Sequence, residues 1–272
     1  MTVQKLYPGG RPKAFSISYD DGVLQDIRFV DLLNKYGLKG TFNLNSGLMR
    51  SRFTWKHDCG MEITRLSENQ ALSLYAGHEV ASHTLTHPYM ESLSRGDILC
   101  QLTTDRMNLQ NLFGREILGF AVPFLYYSDE IAECARQAGF AYARISEITG
   151  DYAIPEDPYF WRGSKFHWDE DLEDFVLGFL ETDRELALCE LVGHSYDLDV
   201  LNLWDTMERI LSRIAASSDV APMTNLELVR YTCAMASVCI SENCIHNPSA
   251  MDLWFRVGEK VVVLHPGDTH SF

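Results

Sequence analysis

Basic side chains are scarce in this chain: 23 Lys and Arg stand against 38 Asp and Glu, a formal charge of −15. Binding to a phosphate backbone relies on clustered Lys and Arg, so no nucleic-acid partner is expected. The same acidity disfavours anionic membrane surfaces. Nowhere do about 18 apolar residues run together, the length a spanning helix needs, so no membrane segment is expected either. The stretch from Met1 to Pro8 has no basic patch leading into an apolar run, hence no secretory leader is read there and a cytoplasmic location is expected. The seven cysteines are scattered and form no Cys-x-x-Cys pair. They read as reduced core cysteines of a cytosolic protein. Internal repeats and low-complexity segments are absent.

What remains is a chain rich enough in apolar residues, 46% of 272, for a sizeable core in one large domain or two small ones. Strand-like and helix-like stretches alternate for most of its length. Residues 14–19, 39–44, 79–82, 117–122, 140–145 and 186–192 read as strands. Between them lie helical patterns, such as Phe29, Leu32, Leu33 and Tyr36 ending at Gly37, or the capping-box signature Ser67 to Gln70 opening a helix that closes by Gly77. Seven or eight such β-then-α units predict an α/β protein whose parallel sheet closes as a distorted barrel. From about residue 241 the pattern changes to strands 252–257 and 260–264 around Gly258-Glu259, a β-hairpin. The expected division is therefore a barrel over residues 1–240 and a small β appendage over 241–272.

Three clusters carry chemistry. In Ser18-Tyr19-Asp20-Asp21-Gly22 two adjacent carboxylates end a buried strand. Neighbouring side chains at a strand end diverge, so the two can do different work. In Ser82-His83-Thr84-Leu85-Thr86-His87-Pro88 two imidazoles four residues apart share a face if the segment turns helically. One carboxylate with these two histidines makes a two-His-one-carboxylate set that leaves positions open for water and substrate. His194 follows the most apolar strand of the chain and suits a proton donor.

On these residues the chain resembles the polysaccharide deacetylases, the NodB-like proteins of carbohydrate esterase family 4. The first motif is matched by Ser18 to Gly22, the second by Ser82 to His87 and the last by His194, and the resemblance spans residues 14–231. It implies a distorted (β/α) barrel that removes acetyl groups from sugars. Residue by residue, it implies Asp21, His83 and His87 as metal ligands, Asp20 as the base and His194 as the acid. It further implies the backbone N–H of Phe124, after Pro123, as a donor to the oxyanion. The third motif departs: where the family usually has an arginine two residues before the proline, this chain has Ala121, and the glycine that often follows is Leu125. The fourth motif, an Asp-Trp pair, is not recognisable. Arg144, at the end of the next strand, is expected to reach the same mouth and to grip Asp20 through two parallel hydrogen bonds. Tyr159, Phe160, Trp161 and Trp168, in the loop 154–168, are candidates for stacking on sugar rings, with Trp161 taken as a substrate contact.

The expected function is metal-dependent removal of an acetyl group, preferably N-linked, from an acetylated amino sugar or oligosaccharide. Zinc is the expected ion, with cobalt, nickel or manganese also suited to the ligands. Two alternatives are a metal-dependent amidohydrolase acting on a small non-sugar amide, and a barrel that binds glycans with little turnover.

Overall fold

The structure, a computed structural model, describes residues 2–271. A nine-stranded sheet, parallel throughout, curls into a nearly closed barrel. Around it run Lys165–Phe166, Ala187–Gly193, Lys13–Asp20, Thr41–Leu44, Glu79–Ser82, Gly119–Ala121, Tyr142–Ile148 and Trp161–Gly163. The first and last of these are separated in sequence only by Ser164, so the chain itself closes the ring. Ser164 N–H donates to the Glu190 carbonyl at 2.9 Å, and its carbonyl accepts from Gly150 N–H at 3.1 Å. The ninth strand, Val220–Pro222, pairs with the first half of Lys13–Asp20. Parallel neighbours need long crossovers. Helices supply them, among them Asp26–Lys35, Glu68–Leu74, Arg95–Phe113, Asp129–Gln137 and Trp204–Ala216. Their starts are written locally: Ser67 and Gln70 form the expected capping box, and Thr224 and Glu227 form a second at the Asn225–Ala236 helix.

The Lys13–Asp20 strand is buried along its whole length, yet it alternates. Phe15, Ile17 and Tyr19 join the core under the helices, where Tyr19 stacks on Phe29 at 4.3 Å. Ser16, Ser18 and Asp20 sit on the opposite face and bond inside the barrel. Ser16 donates to Asn225 Oδ1 at 2.7 Å, and Asn43 Nδ2 donates to Ser18 Oγ at 3.0 Å. The interior is polar lower down as well. Glu190 accepts from Trp161 Nε1 at 2.6 Å and Asn225 Nδ2 at 2.7 Å, and Glu79 accepts from the Tyr142 and Thr41 hydroxyls, each at 2.9 Å. Burial pushes both acids above the ordinary range, and these donors are what makes their burial tolerable.

The C-terminal hairpin forms as expected, Leu253–Val257 with Lys260–Leu264. A third strand, Val3–Leu6, pairs with it antiparallel, so this small sheet draws in the N-terminus as well as residues beyond 240. It packs on the Asn225–Ala236 helix through Leu253, Phe255 and Tyr231. The cysteines are all free, but only Cys134 and Cys189 are core residues. Cys100 and Cys233 fall on the outer faces of their helices, off the positions that are buried. Among the described residues, no helix is long and apolar enough to cross a membrane.

Candidate active site

The carboxyl ends of the barrel strands bring the predicted residues together. Asp20 is the last residue of its strand and Asp21 follows with φ +86°. That left-handed turn, continued by Gly22 at φ +63°, sends the two carboxylates apart. The Asp21 N–H is held by the Asn43 carbonyl at 3.0 Å.

His83 and His87 follow the Glu79–Ser82 strand, but the segment between them is not helical. Thr84 and His87 adopt φ +69° and +53°. The Thr84 hydroxyl accepts from His87 N–H at 3.1 Å, while Asn45 Nδ2 occupies the His83 carbonyl and, at 2.9 Å, that of Thr84. Those bonds replace the helical ladder, and the compact turn still brings the two ring centroids to 4.8 Å. The Nε2 atoms of His83 and His87 lie 3.9 and 3.6 Å from Asp21 Oδ1. The candidate ligand atoms of the three residues all fall within 4.8 Å of one another.

A divalent cation fits this set on the protein's own terms. Asp21 Oδ1 is buried and accepts no aligned hydrogen bond, although Arg65 Nη1 approaches it to 2.9 Å. Burial lowers the His83 imidazole to about 4 and holds His87 below its usual value, which leaves both rings neutral. His83 Nδ1 lies 2.8 Å from the Ala121 carbonyl, an acceptor only, so Nδ1 carries the proton and the Nε2 lone pair faces the triad. Two imidazole nitrogens and one carboxylate oxygen suit zinc and its transition-metal neighbours.

Beside the triad stands Asp20. Arg144, buried to 1% exposure, reaches it as expected, but not as a fork. One nitrogen, Nη2, contacts both carboxylate oxygens, 2.5 Å from Oδ2, while Nη1 turns to the Ile145 carbonyl at 3.4 Å. Asn43 Nδ2 adds a 2.7 Å bond to Oδ1. Burial opposes ionisation of Asp20, but Arg144, His83 and His194 outweigh it, and the carboxyl lies below its ordinary range.

His194 also borders the triad and directly follows the Ala187–Gly193 strand. Its Nδ1 meets Asp197 Oδ2 at 2.9 Å. Burial works against the imidazolium, yet that bond and the charges of Asp21 and Asp20 raise the ring to about 9. His167 lies behind, 3.7 Å from the same Asp197 oxygen, and burial drives it down to about 3. The sequence motifs give Asp197 no role. Its spacing of three from His194, across the first turn of a short helix, is the signal that marks it.

The cleft above these groups has a volume of about 760 Å³, walled by Tyr89, Phe124, Tyr126, Phe166, Trp168 and Tyr196. Phe124, at φ +56°, stacks on Tyr89 at 3.9 Å and meets His87 edge-on at 4.6 Å. Trp168 lies parallel to His194 at 6.1 Å. Trp161 does not reach the mouth. Its ring is 1% exposed, and its N–H is spent on Glu190 inside the barrel, which makes it a core residue. Tyr159 likewise turns away, its hydroxyl on the Phe140 carbonyl at 2.6 Å.

Against known proteins, residues 8–143, half of the chain, match the polysaccharide deacetylase family. A chitin deacetylase from a Pestalotiopsis species is 27% identical over 149 residues, 54% of this chain, and this chain spans only 46% of that protein's length. Among solved structures, a candidate polysaccharide deacetylase from Mycobacterium smegmatis superposes with a TM-score of 0.60 over 86% of this chain and 94% of its own, at 13% identity. The carbohydrate esterase family 4 domain of a multidomain xylanase from the hindgut metagenome of Trinervitermes trinervoides gives 0.54 over 82% and 92%, at 16% identity. At those identities the likeness is one of fold, the same distorted barrel. A strand-end Asp pair, a histidine pair two barrel strands away and a match across half its length establish that the chain belongs to the polysaccharide deacetylase family.

Proposed function

We propose that this chain is a metal-dependent hydrolase that removes N-acetyl groups from an acetylated amino sugar or oligosaccharide. The observation that carries the reading is the set of groups gathered in one cleft. Ionised Asp20, the Asp21–His83–His87 triad and cationic His194 all line the same cleft. Asp21, His83 and His87 would hold the ion, zinc in this reading. When bound, it supplies Lewis acidity, which acidifies water and polarises a carbonyl.

The chain's own residues divide the remaining work. Asp20 takes the proton from the attacking water as the C–O bond forms. Arg144 lowers its basicity but keeps it ionised and fixed in place. The Phe124 N–H faces the developing oxyanion. His194, charged through Asp197, delivers its proton to the amide nitrogen as the C–N bond breaks, giving acetate and a free amine. The aromatic walls offer faces on which the apolar side of a sugar ring can stack. The net negative charge of the chain does not repel the amine product.

Acetate release is the test. Zinc-loaded protein is offered N-acetylglucosamine oligomers of increasing length, an O-acetylated sugar and small N-acetyl amides without a sugar. Release from the oligomers that disappears in Asp20→Asn supports the reading. Release only from the small amides would replace the sugar by a non-sugar amide, and release from none would leave a binding barrel.

A further inference from the structure

A guanidinium stands beside the triad that no sequence motif announces. Arg65 follows the hairpin strand Glu62–Thr64 and is 3% exposed. Its Nη1 lies 2.9 Å from Asp21 Oδ1, the same oxygen that faces both imidazoles, and it also donates to the Asp21 backbone carbonyl. That nitrogen bonds Asn45 Oδ1 at 2.7 Å as well, and Asn45 in turn holds the carbonyls of His83 and Thr84. One connected set, Asp21–Arg65–Asn45–His83, therefore joins the two strands that contribute the triad. The ring of Trp55 covers the guanidinium at 5.1 Å and shields it from water.

The sign of the charge matters more than the linkage. A permanently protonated arginine against a ligand oxygen is unfavourable to a divalent cation on that oxygen. Water is largely excluded there, so the repulsion is weakly screened. In the absence of an ion the same arginine is favourable, because a buried carboxylate without a counter-charge is costly. We propose that Arg65 is a positioning residue and resident counter-charge of the triad, which stabilises the metal-free site and thereby weakens its hold on a divalent cation. The inference rests on the metal reading above. It adds that the site is built for a loosely held, strongly polarising ion rather than for the tightest binding its ligands allow. With part of the Asp21 charge answered by Arg65, less is donated to the ion.

Zinc affinity decides it, measured by competition with a chromophoric chelator, alongside the melting temperature with and without zinc. Arg65→Gln keeps a donor for Asn45 and for the Asp21 carbonyl but removes the charge. Arg65→Lys keeps the charge on a single nitrogen. The expectation is that Arg65→Gln binds zinc on the order of tenfold tighter and melts lower than wild type without metal, with the gap closing when zinc is added. Arg65→Lys should stay near wild type in affinity. Equal or weaker zinc binding by Arg65→Gln, with wild type still binding and His83→Ala not, would overturn the counter-charge and leave Arg65 a strut. If Arg65→Gln does not fold, Arg65→Lys decides: its zinc affinity must match wild type, and a large loss would overturn the proposal. Absence of zinc binding by wild type would instead defeat the metal reading itself, a different and separable result.

Discussion

A single nitrogen of Arg144, Nη2, touches both carboxylate oxygens of Asp20, although the two residues are 124 apart in sequence and lie on strands separated by three others. The arginine therefore comes from Tyr142–Ile148, one strand beyond the one whose end carries Ala121. Ala121 is the direct register partner of Arg144 on the neighbouring strand, so the residue beside the arginine is a small one. If Arg144 orients the base, Arg144→Ala should lower turnover by roughly 10²-fold, the scale of a misplaced catalytic group. It should also cost about 3–5 kcal/mol of stability, since Asp20 would be left buried and unpaired. Arg144→Lys should fall between, and zinc content should not change in either. Turnover in Arg144→Ala equal to wild type would remove the arginine from the mechanism.

Asp20 should be needed for chemistry and not for the metal. Asp20→Asn keeps the shape and a hydrogen-bonding partner for Asn43, so the variant should fold and bind zinc while losing about 10²–10⁴ in turnover. Near-normal acetate release by this variant would end the assignment of the base.

One zinc ion per chain is expected by elemental analysis after gentle purification, and both His83→Ala and His87→Ala should lower that content sharply. Stripping the ion with a chelator should abolish acetate release, and zinc should restore it. Undiminished metal in the two histidine variants would move the site elsewhere.

The pH profile reports on His194. Its ring is raised to about 9 in the folded chain, with Asp197 as the main stabilising partner. The acid is therefore protonated at neutral pH, and turnover should fall on the alkaline side with an apparent pKa at or below about 9, since a cation in the triad opposes the imidazolium charge. Asp197→Asn removes the favourable charge, so the limb should move to lower pH. Stability follows the same sign. The folded value lies above the unfolded one, so the contribution of this ion pair is complete below about 6.5 and is lost as pH rises toward about 9. A limb that stays in place in Asp197→Asn would show that the carboxylate does not tune His194.

Gly193 ends the strand that delivers His194, and a Cβ there would overlap the ring of buried His167. Gly193→Ala should cost about 1–3 kcal/mol through overpacking and should reduce turnover further by displacing the following histidine. A melting temperature and turnover both unchanged from wild type would show that the His167 ring gives way freely.

The alternation of strand and helix signals, the Ser67–Gln70 capping box and the terminal hairpin were legible because each is a local pattern, set by side-chain period and end chemistry. The chemical identities of the site were legible too, since Asp20–Asp21, His83 with His87, and His194 are short-range groupings placed at strand ends. The geometry between them was not. The spacing of His83 and His87 left open whether a helical turn joins them, and Asn45, 38 residues upstream of His83, takes the carbonyls a helix would need. Trp161 read as a mouth aromatic until its partner Glu190 drew it inward, and Asn43 and Arg65 carried no motif at all. Sequence alone thus determined which elements form and which reactive side chains they end in, because those depend on neighbours a few residues away. Only the tertiary structure decided which arginine answers which aspartate, since the two buried ion pairs join residues 44 and 124 apart in sequence, and no local pattern links side chains at that separation.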